Sequence, residues 1–344
     1  MRAVRVLSRG GPAALVVDDI DEPRPGDDTV LIDVVAAGVN FPDLLLSQGT
    51  YQIRPDLPFV LGGELAGVVV AAPAASGFCP GDRVAATTTT GAFAELAAVD
   101  PDTVYRLPPE VDLATGACLP MNYLTMSFAL RDRGRLLAGE SVLVHGAAGG
   151  LGSAAVQLCA ALGARVYSVV STAAKAEFVR KAGSDEVVPV EGFKDAIMDL
   201  TGGAGVDMVV DPVGGSRFLD SLRCLAPLGR LLVLGFTAGE IPTVKVNRLL
   251  LNNIDVRGVG WGAYADRVRS SYRRHWDHLV PMLERGLITP PIDRVYPLDQ
   301  AADAIGRLAS REVLGKVVVA VRSDLEQPPT ARRHSNGPVP SDHL

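Results

Sequence analysis

The feature that most constrains the chain is one run, Ser141-Val-Leu-Val-His-Gly146-Ala-Ala-Gly149-Gly150-Leu-Gly152-Ser-Ala-Ala-Val. Apolar, β-branched residues that read as a buried strand pass directly into glycines and then into a helix-forming stretch. Such a turn leaves the N–H groups of the first helical turn without backbone partners, and it aims the positive end of the helix dipole at the same point. A pyrophosphate fits that environment. The spacing is Ala147-x-Gly149-Gly150-x-Gly152, with alanine in place of the first glycine of the dinucleotide fingerprint. The strand before it, the helix after it and a second strand about twenty residues on complete the βαβ context that the fingerprint requires. The competing reading is a turn kept glycine-rich only for close strand–helix packing.

Strand-like and helix-like blocks alternate around this run. Strands are expected at Ser141 to His145, Arg165 to Val170, Glu186 to Val190, Met208 to Val210, Arg230 to Leu234 and Ile254 to Val259, with helices at Gly149 to Leu162 and Ala173 to Ala182. Consecutive βαβ units imply a parallel, doubly wound sheet of the Rossmann type. From residue 1 to about 120 the runs are short, alternating and punctuated by Gly, Pro and Asp, which predicts a twisted, mostly antiparallel β domain. After Trp261 a helical stretch around Tyr264 to Arg285 precedes a strand, a helix and a closing strand at Gly315 to Val321. That last segment is too small to fold alone and is expected to return to the first domain. The division is 1–122, 123–262 and 263–322, followed by a disordered tail over 323–344, where apolar periodicity ends.

The 344 residues, 48% hydrophobic and 21% charged, describe an ordinary globular protein of about two domains. A net charge of -6 supplies no general field for nucleic acid or anionic lipid. No apolar run reaches the roughly 18 to 20 residues of a membrane helix, and no signal peptide is evident. The four cysteines at 79, 118, 159 and 224 show no metal-ligand spacing and suit buried thiols in a reducing compartment. A soluble cytoplasmic protein is expected.

Which dinucleotide binds depends on the end of the second strand, where NAD-selective sites place a carboxylate on the ribose 2′-hydroxyl. Here Tyr167-Ser-Val-Val-Ser171-Thr172-Ala-Ala-Lys175 contains no acid. Ser171 and Thr172 leave room for a 2′-phosphate and Lys175 offers it a positive charge, so NADPH is favoured. A solvated lysine on the first helical turn is the alternative for Lys175.

Taken together, Ala37-Gly-Val-Asn40-Phe-Pro-Asp43, Pro58-Phe-Val-Leu-Gly62-Gly63-Glu64-Leu-Ala-Gly67, Gly81-Asp82-Arg83-Val84, Asn122-Tyr-Leu-Thr125, the turn from His145 to Gly152 and Gly315-Lys316-Val-Val carry a family likeness. From residue 1 to about 321 the sequence resembles the medium-chain dehydrogenase/reductases, specifically the zinc-free NADPH:quinone oxidoreductase (zeta-crystallin-like) branch. The resemblance implies a Rossmann domain inserted in a GroES-like, mostly β catalytic domain. Asn40 and Gly63 stand where zinc-dependent relatives have a metal-binding cysteine and histidine, and the cysteine-rich structural-zinc loop is missing. Reduction of a quinone or activated enone is therefore expected rather than alcohol oxidation, which needs a Lewis acid.

By the same resemblance, Asn40 lies at the nicotinamide end of the cleft and Thr125 at the start of the cofactor domain. Ala148, Gly149, Gly150, Leu151 and Gly152 lie on the pyrophosphate, and Ser171, Thr172 and Lys175 on the 2′-phosphate. Gly235 and Phe236 follow the nicotinamide ribose, and Arg311 contacts the cofactor. Val190 stands where many relatives have a tyrosine near the adenosine phosphate.

Hydride transfer belongs to the cofactor, so the protein's task is placement and exclusion of water. Asn40 is a candidate to donate its amide N–H to the acceptor carbonyl, or else a turn-forming asparagine. Tyr51 is a candidate proton or hydrogen-bond donor, or else a partly buried aromatic at a domain edge. Because that tyrosine position also resembles the proton donor of enoyl-thioester reductases, 2-enoyl reduction is the alternative reaction. Its basic rim would come from Arg131, Arg133, Arg135, Arg267, Arg269, Arg273 and Arg274. A non-catalytic NADPH-binding scaffold is the alternative of another class. Met121, Tyr123, Trp261 and Tyr264 are candidate walls for the acceptor, Glu64 a partner for a cleft arginine, and His145 the backbone-bonded end of a strand. The edge strand Ile254 to Val259 predicts a homodimer.

Overall fold

The computed structural model describes residues 1–24 and 26–322; the expected disordered tail, 323–344, lies outside the described residues. Six parallel strands form the sheet that carries the glycine turn, in the order Glu186–Pro189, Arg165–Val170, Ser141–Val144, Val206–Asp211, Leu225–Val233, Asp255–Gly258. The chain runs outward in one direction from Ser141–Val144, then returns to its other side. That strand is the topological switch point, and an open α/β sheet binds its ligands beyond the C-terminal ends of the strands there. The helices Gly150–Ala161 and Ala173–Lys181 follow the first two strands.

The other large sheet has the order Ile292–Pro297, Lys316–Ala320, Val30–Val39, Glu64–Ala71, Arg83–Thr87, Val104–Arg106, with Leu96–Val99 also on Val30–Val39. Its pairings are antiparallel except Ile292–Pro297 with Lys316–Ala320. A three-stranded sheet, Leu15–Asp19, Arg2–Val6 and Phe59–Val60, completes the β region. The closing strand pairs Val317 with Val39, threading the end of the described chain through the middle of this sheet.

One element departs from the expected pattern. A helix, Phe41–Gln48, interrupts the first β half; it begins at Asn40, carries Pro42 in its first turn and ends on Gly49 in the left-handed region at φ 69°. Its eight residues are too few for a clear helical period to stand out from the flanking β pattern. The stretch 120–134 is helical but irregular, with π-wound turns at Pro120–Leu124 and Phe128–Gly134. The helix Ser270–Glu284 packs on this region: Trp276 stacks on Tyr105, with ring centroids 4.8 Å apart.

Candidate functional site

At the end of Ser141–Val144 the chain turns through Gly146, at φ 59°, and enters the helix at Gly149, whose extended conformation begins it without a side-chain cap. Gly152 sits against the turn itself: a Cβ there would lie 2.1 Å from the Gly146 carbonyl oxygen and 2.7 Å from Ala147 Cα. Ala147 is wholly buried, so the alanine that replaces the first fingerprint glycine packs its methyl into the core. Ala148 is buried as well, while Gly149, Gly150 and Leu151 are half-buried at the opening. The loop before the closing strand lies across this turn. Gly315 N donates to Ala148 O at 2.8 Å, and Gly149 and Gly315 form a parallel bridge.

The second strand's end meets the same loop. Thr172 caps the helix Ala173–Lys181, its hydroxyl accepting from Lys175 N at 3.3 Å. The Lys175 ammonium donates to Arg311 O at 2.6 Å and reaches Ser171 Oγ at 3.4 Å. Ser171 and Lys175, four residues apart, thus meet the distant Arg311 through its backbone carbonyl. Burial lowers the Lys175 pKa, against the raising effect of Glu312. Arg311 adopts φ 60°, unusual for a residue with a Cβ.

Asn40 differs from expectation in its bonding. Its Nδ2 donates to Glu64 Oε1 at 2.9 Å and to Gly38 O at 3.2 Å, which uses both amide protons. Its Oδ1 accepts from the Lys316 ammonium at 2.8 Å. Lysine can only donate and an ionised carboxylate only accept, so this pair of neighbours fixes which way the amide points. The Asn40 N–H groups are therefore not free for an acceptor carbonyl in this arrangement, and the residue is a buried connector. Lys316 Nζ also donates to Val39 O at 3.1 Å and Glu64 Oε1 at 2.6 Å, satisfying its three protons. Glu64 Oε2 accepts from Met121 N at 2.8 Å. Glu64 thus pairs with a lysine and not with an arginine.

Below this network, Asp43 Oδ2 accepts from Asn40 N at 2.7 Å, and complete burial pushes the Asp43 pKa up to about 7. Tyr51 is half-buried nearby; its pKa is raised first by burial and then by the charge of Asp43, so its phenol keeps its proton at neutral pH. Thr125 donates its hydroxyl to Met121 O at 2.6 Å.

Lys316 and Asp43 were not among the residues assigned roles from sequence, and Glu64 was given an arginine partner. The signal was there for Lys316 and Glu64. Lys316 opens the fully buried strand Lys316–Ala320, and Glu64 lies in the apolar run Leu61 to Ala66; a charge in such a place needs a partner.

Gly235 and Phe236 leave the strand Leu225–Val233 and turn back over residues 212–215: Thr237 N donates to Pro212 O and Ala238 N to Val213 O. Phe236 is partly exposed and faces Gly214, and Val190 is half-buried on the far side of the sheet. Other expectations are corrected. Tyr123 is core, with its hydroxyl on Gln157 Oε1 at 2.6 Å, and Trp261 is buried against Phe128, Tyr272 and His275. His145 bonds Ser221 Oγ at 2.8 Å and not backbone through its ring, while burial lowers its pKa to about 4. Cys79 is exposed; the other three thiols are buried.

Residues 26–109 match the model for the alcohol dehydrogenase GroES-like domain and residues 150–280 that for a zinc-binding dehydrogenase. Quinone oxidoreductase-like protein 2 of Rattus norvegicus is 37% identical over 305 residues, 87% of each chain. The chain belongs to the quinone oxidoreductase family of medium-chain dehydrogenase/reductases. Human quinone oxidoreductase is 34% identical over 311 residues, covering 88% of this chain and 92% of that protein. Among solved structures, Escherichia coli quinone oxidoreductase complexed with NADPH superposes with a TM-score of 0.86 at 28% identity, covering 93% of this chain and all of that one (100%). A probable oxidoreductase from Mycobacterium abscessus gives 0.86 at 44% identity, covering 93% and 98%.

The zinc in the family model's description does not fit these residues. Asn40 offers an amide and Gly63 no side chain, and the Lys316 ammonium already lies 2.8 Å from Asn40 Oδ1, where a second cation would be repelled. Among the described residues no group of three His, Cys, Asp or Glu is placed to hold a metal.

Proposed function

We propose that the protein reduces a quinone or an activated enone with NADPH, without zinc. The observation that carries the choice of cofactor is the meeting of Ser171, Lys175 and Arg311 beside a glycine turn to which the closing strand's loop is bridged, with no carboxylate on the second strand's end. Bound there, the reduced nicotinamide supplies a hydride. The chain's own contributions are placement and charge. Gly150, Leu151 and Gly152 present first-turn N–H groups to the pyrophosphate, with Gly149 N held by Gly146 O, and Lys175 exchanges its bond to Arg311 O for the 2′-phosphate. Gly235 and Phe236 border the ribose of the nicotinamide, and Thr125 stands at the entry of the cofactor region. Tyr51 holds a phenolic proton over the acceptor end, which stabilises negative charge as the hydride arrives.

Replacing Lys175 by alanine is expected to raise KM for NADPH by about tenfold or more, the worth of one charge-assisted hydrogen bond, and to leave KM for NADH unchanged. Equal changes for both cofactors would remove Lys175 from the 2′-phosphate site. Stopped-flow oxidation of bound NADPH by 1,4-naphthoquinone and by crotonyl-CoA separates the readings: turnover of the quinone supports the proposal, turnover of the thioester alone the enoyl reductase, and neither the scaffold. Two arginines of the expected thioester rim are already used, Arg269 on Asp100 and Asp102 and Arg274 on Asp132, which weakens the second of these.

A homodimer is part of the proposal. The strand Asp255–Gly258 ends its sheet, and the adjoining helix Asn247–Asn252 exposes Leu250 (76%) and Leu251 (73%). An edge covered only at Gly258 O, by Arg133 Nε, beside exposed leucines invites a second copy. Light scattering should give twice the 36.1 kDa chain mass, and the double substitution Leu250→Asp and Leu251→Asp should reduce it to the monomer; a monomeric parent would refute the dimer.

A further inference from the structure

We propose a second anion site, separate from the cofactor cleft, that binds a small phosphorylated molecule through Arg131, Arg133 and Arg135. These residues line a surface concavity of about 520 Å³ together with Phe128, Asp132 and Tyr264. On a regular α-helix residues two apart point to nearly opposite sides. Here the segment Phe128–Gly134 is π-wound and ends on Arg135 in the left-handed conformation, φ 51° and ψ 50°, and all three arginines nonetheless line the same concavity, Arg131 also bordering a small neighbouring one beside His278. Left-handed backbone is costly for a residue with a Cβ, and both features concentrate where function demands them.

The charge is not balanced locally. Asp132 is the one acid in the lining, and it is taken by Arg274 at 2.6 Å and faces His275 Nε2 at 3.4 Å. Arg133 uses its Nε on Gly258 O at 2.8 Å, and among the described residues its two terminal nitrogens have no hydrogen-bond partner. Among the described residues no carboxylate pairs with Arg131 or Arg135, and all three arginines are exposed. Three arginines around one concavity whose single acid is already paired make a locally electropositive surface, and their planar forks match phosphate oxygens. This concentration of positive charge stands out in a chain of net charge -6. Gly258 and Gly260 leave the floor open, since a Cβ at either would meet nothing within 4 Å. Tyr264, stacked on Phe128 with centroids 4.8 Å apart and 36% exposed, offers a flat face to an organic group carried by the phosphate.

The test titrates inorganic pyrophosphate, and separately ADP, calorimetrically into the full-length protein saturated with NADPH, so that the cleft is filled. One saturable site is expected, weakening as salt is raised. The double substitution R131Q and R135Q should weaken pyrophosphate about tenfold or more with the melting temperature and KM for NADPH unchanged, while Lys175→Ala leaves pyrophosphate binding intact. Tighter binding of ADP that is lost in Tyr264→Ser assigns an organic phosphate, and equal binding of both probes assigns the free anion. Absence of saturable binding, or equal binding by the double variant, overturns the proposal. So does a fall of the double variant to half the parent's mass in solution, which would make these arginines interface groups.

Discussion

Replacing Glu64 by glutamine is expected to destabilise the protein by about 3–5 kcal/mol, the usual cost of removing one partner from a buried ion pair. Glu64 is wholly buried and its neighbour Lys316 is 3% exposed. The substitution preserves shape and one hydrogen-bonding oxygen, so the loss comes from leaving an ammonium among Val39 O, Asn40 Oδ1 and an amide. The pair also joins parts of the chain distant in sequence: Glu64 holds Met121 N with its other oxygen, and Lys316 follows Gly315, which is bonded to the cofactor turn. A melting temperature lowered by roughly 10 °C is the expected result. The decisive comparison is the double substitution E64Q with K316M. Removing both charges should recover a large part of the loss, because the penalty lies in the unpaired charge and not in the absent attraction. A double variant less stable than either single one would show that the pair contributes net attraction beyond its desolvation cost. Wild-type stability in E64Q would remove the pair from the account altogether.

How far the sequence carried depended on the range of the interactions involved. The glycine turn, its strand and its helix are local, with every determinant inside Ser141 to Ala161, and they lie where expected. Val206–Asp211 runs beyond the expected Met208 to Val210 at both ends, and Leu225–Val233 begins five residues before the expected Arg230 and ends one before Leu234, because pairing with neighbours extends a strand past its most apolar stretch. Asn40 shows the limit. Read alone it is an amide beside an expected cofactor, with donors to offer. Its actual partners are Glu64, 24 positions away, and Lys316, 276 positions away, and their joint orientation of the amide follows only once Lys316–Ala320 lies beside Val30–Val39. The arginines behaved in the same way: seven looked equivalent along the chain, but folding neutralises Arg269 and Arg274 and leaves three open to one concavity.

Alanine at Gly152 is expected to abolish NADPH binding, whereas alanine at Gly149 should be tolerated by the fold. The fingerprint treats these glycines as one motif, but their surroundings differ. At Gly149 the nearest atom to a new Cβ, Gly146 O, would be 3.5 Å away, an ordinary contact. At Gly150 the Cβ would approach the Asn122 side-chain amide at 2.6 Å, the end of a side chain that can shift, and Lys316 Cδ at 3.0 Å, on a side chain whose ammonium is held by three bonds. At Gly152 the obstacles are backbone, with Gly146 O at 2.1 Å and Ala147 Cα at 2.7 Å. The methyl can be accommodated only if the helix Gly150–Ala161 moves off the turn, which takes its first-turn N–H groups away from the pyrophosphate and opens the packing of a helix whose inner face is buried. Overpacking of this kind costs about 1–3 kcal/mol, and the loss of a preformed anion site adds to it on binding. Fluorescence titration with NADPH and thermal unfolding should rank the three variants, from smallest effect to largest, as G149A, G150A and G152A on stability. G152A should show no saturable binding of the cofactor. Parent-like affinity and melting temperature in G152A would mean that the helix does not depend on close approach to the turn, and the placement of the pyrophosphate on residues 149–152 would have to be abandoned.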